Sequence, residues 1–253
     1  MATSSTLRGE ERRAAILATI DRDGSAQIDE LARLLDVSEM TVRRDLDDLE
    51  SDGMLRRVRG GAVALEGPRK FGERRLMRTR AKQTIAAKAA GLIPVSGAVA
   101  VDASSTVGTL AGAMRGRKGL IIATNSYENF SMLNATADTT AILIGGEQDP
   151  ATGSFVGRLA CDAAESMLYQ AFFTSASALH PVHGTSEASL AESQVKRAFA
   201  ARSARTVLCI DSSKLDSVAV AATFALDEID TVITELDPAD TRLDAYRKHV
   251  QLL

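Results

Sequence analysis

The sequence predicts an α/β chain in two unlike parts: a winged helix-turn-helix, then a larger, mostly parallel α/β domain. Three observations carry this. Apolar residues recur at helical spacing through the first 50 residues, and a basic, glycine-containing ribbon follows them. Beyond residue 80, short apolar runs alternate with helix-period segments. Between the two parts the composition turns polar and basic around Gly67-Pro68.

The first helix is read at Glu11–Ile20, with Ile16, Leu17 and Ile20 on one face and Asp23-Gly24 as its stop. The second, Ile28–Leu35, repeats the stripe with Ile28, Leu31 and Leu35, and Asp36-Val37 makes a very short turn. Ser38 is placed to cap the third helix, Glu39–Glu50, which buries Val42, Leu46 and Leu49; Glu39 in its first turn suits the helix dipole. Two striped helices joined by so short a turn have the geometry of a helix-turn-helix. The leading face of the third helix then offers Ser38, Thr41, Arg43 and Arg44. These residue types suit base edges and phosphates, although the two arginines would equally balance Asp45, Asp47 and Asp48 on a solvated surface. Gly53 stops the helix, and Met54–Leu65 alternates toward a ribbon turning at Gly60-Gly61. Arg56, Arg57 and Arg59 would make that ribbon a basic wing along a phosphate backbone.

The net charge of −3 hides an uneven distribution. Residues 1–65 carry 10 basic and 13 acidic residues, residues 66–82 carry 7 and 2, and the remainder 13 and 18. Local clusters guide nucleic-acid binding better than the mean does.

In the second part, strands are expected at Ala98–Asp102, Leu120–Thr124, Ala141–Ile144, Ala171–Thr174, Thr206–Asp211 and Thr231–Thr234. Helical segments are expected at Thr106–Met114, Asn125–Leu133 and Glu187–Arg202. Such alternation implies βαβ crossovers, with helices on both faces of the sheet. Polar residues follow several strands: Asp102-Ala-Ser104-Ser105-Thr106, Thr124-Asn125, Gly145-Gly146 and Asp211-Ser-Ser-Lys214. Hydroxyls and backbone N–H groups at a helix start suit a phosphate, and the same residues also serve as ordinary caps. Ligands of open α/β sheets gather at the carboxyl ends of the strands.

The remaining signals are negative. No apolar run is long enough to span a bilayer, and Met1–Glu10 lacks a secretory pattern. Cys161 and Cys209 form no framework; Cys209 reads as a small buried hydrophobe, and a reducing cytoplasm is expected. His180 and His183 are read in a turn beside Pro181 and Gly184, with no ligand set spaced around them; His249 is read on the surface of a terminal helix. No catalytic residue, cofactor or metal ligand is assigned. Glu187 and Glu192 are carboxylates available to an isomerase, but they sit in no recognisable isomerase motif.

The run Leu31-Ala32, Val37-Ser38, Thr41-Val-Arg-Arg-Asp-Leu46, Leu49-Glu50, Gly53-Met-Leu-Arg56 and Arg59-Gly-Gly-Ala62 closely resembles the signature of DeoR-family repressors. Asp102-Ala-Ser-Ser-Thr106, Thr124-Asn125, Gly145-Gly146, Lys196-Arg197 and Asp211-Ser-Ser-Lys214 resemble that family's sensor domain, with Ser104 where the family usually has Gly. The resemblance implies that Ser38, Thr41, Arg43 and Arg44 contact operator DNA, supported by Arg56, Arg57 and Arg59. It also implies a sensor fold similar to sugar-phosphate isomerases that binds a phosphorylated sugar. The effector residues would be Asp102, Ser104, Ser105, Thr106, Thr124, Asn125, Gly146, Lys196, Asp211 and Lys214, with Lys196 or Lys214 as the counter-charge. The expected organisation is a DNA-binding domain at 1–65, a linker at 66–80 and an effector-sensing domain at 81–253. A homo-oligomeric repressor of a sugar-catabolism operon is the resulting expectation; an isomerase with an accessory DNA-binding domain is the alternative.

Overall fold

The computed structural model describes residues 3–51, 54–64, 71–134 and 139–253. The chain divides into two compact units, Met1–Thr79 and Arg80–Leu253.

In the first unit, helix α1 (Thr3–Asp23) is longer than its apolar stripe required, and it stops at Gly24, whose φ is +74°. Strand β1 (Ser25–Gln27) leads into α2 (Ile28–Leu35), and α3 (Glu39–Ser51) follows. Asp36 takes a left-handed conformation, φ 51°, and its N–H closes α2 on the carbonyl of Ala32. Ser38 then caps α3, its hydroxyl accepting from the Thr41 N–H at 3.2 Å. Ile16, Ile20, Leu31, Val42 and Leu46 meet in one sealed core. The ribbon β2 (Arg56–Val58) and β3 (Gly61–Val63) is antiparallel, and β3 also pairs with β1 to complete a three-stranded sheet. The pairing fixes Gly61: a Cβ there would lie 2.2 Å from the carbonyl oxygen of Ala26. Part of the expected linker is helical, as α4 (Phe71–Leu76). Gly53 and Gly67-Pro68, read as helix stop and linker opening, lie outside the described residues.

The second unit opens with α5 (Thr79–Ala89), which begins at the division itself. Its main sheet contains β4 (Gly97–Val101), β5 (Leu120–Thr124), β6 (Thr140–Leu143), β9 (Ala171–Thr174), β12 (Thr206–Cys209), β14 (Thr231–Ile233) and β15 (Gln251–Leu252). Its order is β15-β14-β12-β9-β4-β5-β6, parallel throughout. Alternate residues feed two cores. Val99, Val101, Phe173 and Cys209 pack with Ile85 of α5 and with α6 (Ser105–Gly108) and α7 (Ala111–Met114). Ala100, Phe172 and Leu208 face α9 (Arg158–Glu165) and α10 (Leu190–Ala201). Helix α8 (Tyr127–Leu133) follows β5.

All six expected strands are in this sheet, and the helical reading of Thr106–Met114 resolves into α6 and α7. Two small antiparallel pieces had no sequence signal: β7 (Glu147–Gln148) with β8 (Phe155–Val156), and β10 (Ala178–His180), β11 (Gly184–Glu187) and β13 (Ala221–Ala222). The segment around exposed His249 forms turns rather than the expected helix.

From β4 the chain proceeds to β5 and β6 on one side; β9, β12 and β14 then extend the sheet on the other. The order therefore reverses between β4 and β9, which is where such sheets leave a crevice for a ligand.

Candidate functional site

On the first unit, the aspartates of α3 are matched by arginines of other elements. Arg12 of α1 makes a two-pronged ion pair with buried Asp45, which holds its guanidinium above its ordinary pKa. Arg13 reaches Asp48 at 3.1 Å, and Arg57 of the wing pairs with Asp47. Among the described residues, Arg43 forms an ion pair only with Glu39 one turn back, at 2.9 Å. Arg44 is exposed and forms no ion pair with a described residue. The solvated-surface reading, in which Arg43 and Arg44 neutralise the α3 aspartates, thus has its partners assigned elsewhere.

The buried stripe Val42, Asp45, Leu46 and Leu49 leaves Arg43 and Arg44 on the outer face of α3, beside exposed Ser38. Ser38 and Thr41 share a hydrogen bond at 2.9 Å. Arg56 and Arg59 project from the ribbon into solvent. Arg57 does not: it lies against α3, donating to the Arg43 carbonyl and to Asp47. These bonds tie the wing to α3.

On the second unit, the carboxyl ends of β4 and β9 are joined around Asp102, which is 1% exposed. One carboxylate oxygen accepts from the Ser104 N–H at 2.9 Å. The other accepts from the Thr174 hydroxyl at 2.8 Å and the Ser175 N–H at 2.9 Å, with the Lys196 ammonium 3.2 Å away. Three hydrogen bonds and the ammonium hold the carboxylate in place. Burial pushes this carboxyl up, but Lys196 and the Ser104 and Ser175 bonds outweigh it and hold it below the ordinary value. Asp102 is therefore ionised, and it folds the β4–α6 turn onto the end of β9.

Lys196 is equally committed. Its ammonium reaches Asp102, Glu187 and the Ser175 carbonyl, and these carboxylates hold it above its ordinary pKa although burial pulls it down. Burial pushes Glu187 up against the Lys196 attraction, and the Ser177 hydroxyl donates to it at 2.8 Å. Glu192 accepts from Ser154 at 2.7 Å.

Ser104, Ser105 and Thr106 form the turn that opens α6. Ser104 caps it at φ −79°, accepting from the Val107 N–H at 3.1 Å. That φ is open to any residue, so Ser104 replaces the family's usual Gly without backbone strain. Thr124 accepts from the Ser126 N–H at 3.2 Å, and the Asn125 amide donates to the Phe155 carbonyl at 2.9 Å. Gly146 has a packing role, since a Cβ there would lie 2.6 Å from the Val156 oxygen. Asp211 caps the turn Ser212–Lys214. Lys214, half-buried, forms no ion pair with a described residue.

Two residues of this region were missed from sequence. Lys82 of α5 donates to the Ser105 hydroxyl at 3.1 Å, buried. Asn129 of α8 donates to the carbonyls of Asp102 and Ser104, at 2.8 and 3.4 Å. Each contact joins residues more than 20 positions apart, which no local pattern announces. His180 ends β10 and His183 lies in the turn after it, with ring centroids 4.8 Å apart.

Comparison with known proteins agrees with this division. Residues 12–67 match the DeoR-like helix-turn-helix domain, and residues 77–236 match the DeoR C terminal sensor domain. The chain is 32% identical over 245 residues to the lactose phosphotransferase system repressor of Lactococcus lactis subsp. lactis, covering 94% of this chain and 95% of that one. It is 25% identical to the glycerol-3-phosphate regulon repressor of Escherichia coli (strain K12), covering 96% and 97%. Among solved structures, ribose 5 phosphate isomerase A from Neisseria gonorrhoeae aligns with TM-score 0.40 and 15% identity, over 53% of this chain and 52% of that one. With both of its domains matched along nearly the full length of its relatives, the chain belongs to the DeoR family of transcriptional regulators.

Proposed function

We propose that the protein is a repressor of a sugar-catabolism operon whose grip on operator DNA is set by a phosphorylated sugar. The observation that carries this is that one chain holds both a helix α3 exposing Arg43 and Arg44 and, in its other unit, a buried polar turn at the switch point of a parallel sheet. Ser38, Thr41, Arg43 and Arg44 read the operator, with Arg56 and Arg59 along its backbone. The relatives' names, a lactose phosphotransferase system repressor and a glycerol-3-phosphate regulon repressor, support a phosphorylated carbon source as the signal. One small winged domain reads few base pairs, so pairing of half-sites in a homo-oligomer belongs to the same reading.

The site favours binding over isomerisation. An isomerase requires a carboxylate base within reach of a carbon-bound proton. Here Glu187 is held by Lys196 and Ser177, and Glu192 by Ser154. No helix of the described residues is long and apolar enough to cross a membrane.

In this reading the phosphate rests on the Ser104-Ser105-Thr106 turn. Ser105→Asp puts a carboxylate where the dianion sits, and like-charge repulsion is expected to weaken sugar-phosphate binding by about tenfold or more. Calorimetric titration of the variant beside the parent measures this. Equal affinity in the two proteins would place the phosphate elsewhere.

A further inference from the structure

We propose that Met40 reads the 5-methyl group of a thymine in the operator, one or two base pairs from the base that Arg44 contacts; this rests on the reading of α3 as the operator-binding helix above.

A lone apolar side chain on a protein surface is ordinary. Met40 is set apart by its place on α3. It is 70% exposed, and its neighbours Ser38, Glu39, Arg43, Arg44 and Asp47 are exposed and polar. At about 100° per residue, Met40 lies about 170° from the centre of the buried stripe of Val42, Asp45, Leu46 and Leu49. Arg44 and Asp47 lie at about 150° and Arg43 at about 110°. The line of α3 that points farthest from its own core therefore runs through Met40, Arg44 and Asp47.

The start of the helix is closed without Met40. Ser38 caps it, and Val37 and Val42, on either side of the cap, pack into the core as a hydrophobic staple. The carboxylates along the outer surface are also settled, Glu39 by Arg43 and Asp47 by Arg57. Arg44 forms no ion pair with a described residue. The outermost line thus presents an apolar tip and, one turn on, a cation. The major groove offers a matching pair: a guanine edge for an arginine, and the thymine methyl as its apolar feature. The thioether of Met is flexible and polarisable, which suits contact with so small a group. Four residues span about 6 Å of helix and one base-pair step about 3.4 Å, so the two side chains reach positions one or two base pairs apart.

The experiment uses the full chain and a duplex operator selected from random sequences. Each thymine is replaced in turn by uracil, which removes the 5-methyl and leaves every hydrogen-bonding group in place. In the parent, one such change is expected to weaken binding about threefold to fivefold, the worth of one buried methyl. In Met40→Ala the same change is expected to alter affinity by less than about 1.5-fold, since the contact is already gone. Met40→Gln keeps the length and the helix propensity and serves as the second variant should Ala disturb the fold; it is expected to lose the uracil effect as well. Arg44→Ala, carried through the same selection, is expected to relax preference one or two base pairs from the sensitive thymine. A parent with no uracil-sensitive thymine, or an equal uracil effect in the parent and the Met40 variants, overturns the role of Met40. A sensitive thymine farther than two base pairs from the position relaxed by Arg44→Ala overturns the shared line of contact. A parent that enriches no sequence, or Arg44→Ala enriching the parent's sequence unchanged, overturns instead the reading of α3 on which the proposal rests.

Discussion

Replacing Lys196 by Met is expected to destabilise the second unit by about 3–5 kcal/mol, because it strands two buried carboxylates without their cation. Asp102 and Glu187 are 1% and 2% exposed, and the Lys196 ammonium lies between them. The loss should depend on pH. A stranded buried carboxyl has a folded pKa above its unfolded value of about 4, so it takes up a proton on folding. The variant should therefore recover stability relative to the parent as pH falls toward about 5. Urea unfolding of the second unit at pH 7.5 and pH 5, on the scale of about 1–3 kcal/mol per molar, reads both effects. A variant as stable as the parent at both pH values would mean that Lys196 does not compensate these carboxylates.

The Arg43→Ala, Arg44→Ala double variant is expected to lose operator affinity by about 1–3 kcal/mol for each arginine that pairs with a base. The fold should survive. Among the described residues, the Arg43 side chain has only a surface pair with Glu39, and Arg44 has no ion pair. Such exposed pairs contribute roughly 0–1 kcal/mol. The salt dependence separates the two kinds of contact: loss of a phosphate contact lowers the slope of binding against salt, whereas loss of a base contact relaxes sequence preference. Unchanged operator affinity in a folded double variant would remove α3 from the interface.

The parts legible in the sequence are those where burial is continuous. Parallel strands covered on both faces appear as apolar runs, so Val99–Val101, Ala171–Phe173 and Val207–Cys209 declared themselves. The strands β1, β7, β11 and β13 did not. They have two to four residues each, and Ser25, Gln27, Glu147 and Thr185 give no apolar pattern to read. The helix-turn-helix was legible because each helix carries its own stripe and Ser38 its own cap. The polar residues at the strand ends were legible as a set, but their bonds to one another were not. Asp102 and Lys196, expected at the ligand, are occupied by each other and by Thr174, Ser175 and Glu187. Arg57, expected on DNA, is held by Asp47. In each case the deciding partner is distant in sequence, and only the folded chain brings it close.

The measurement that bears most directly on the central claim is operator affinity of the full chain in the presence of paired ligands. Each sugar is tested in its phosphorylated and unphosphorylated form at matched ionic strength, on an operator recovered by selection from random duplexes. The account predicts that at least one phosphorylated member changes operator affinity by about tenfold, or 1.4 kcal/mol of coupling, while its neutral counterpart leaves it unchanged. Operator affinity indifferent to every phosphorylated sugar, or a neutral sugar acting as strongly as its phosphate, would contradict it.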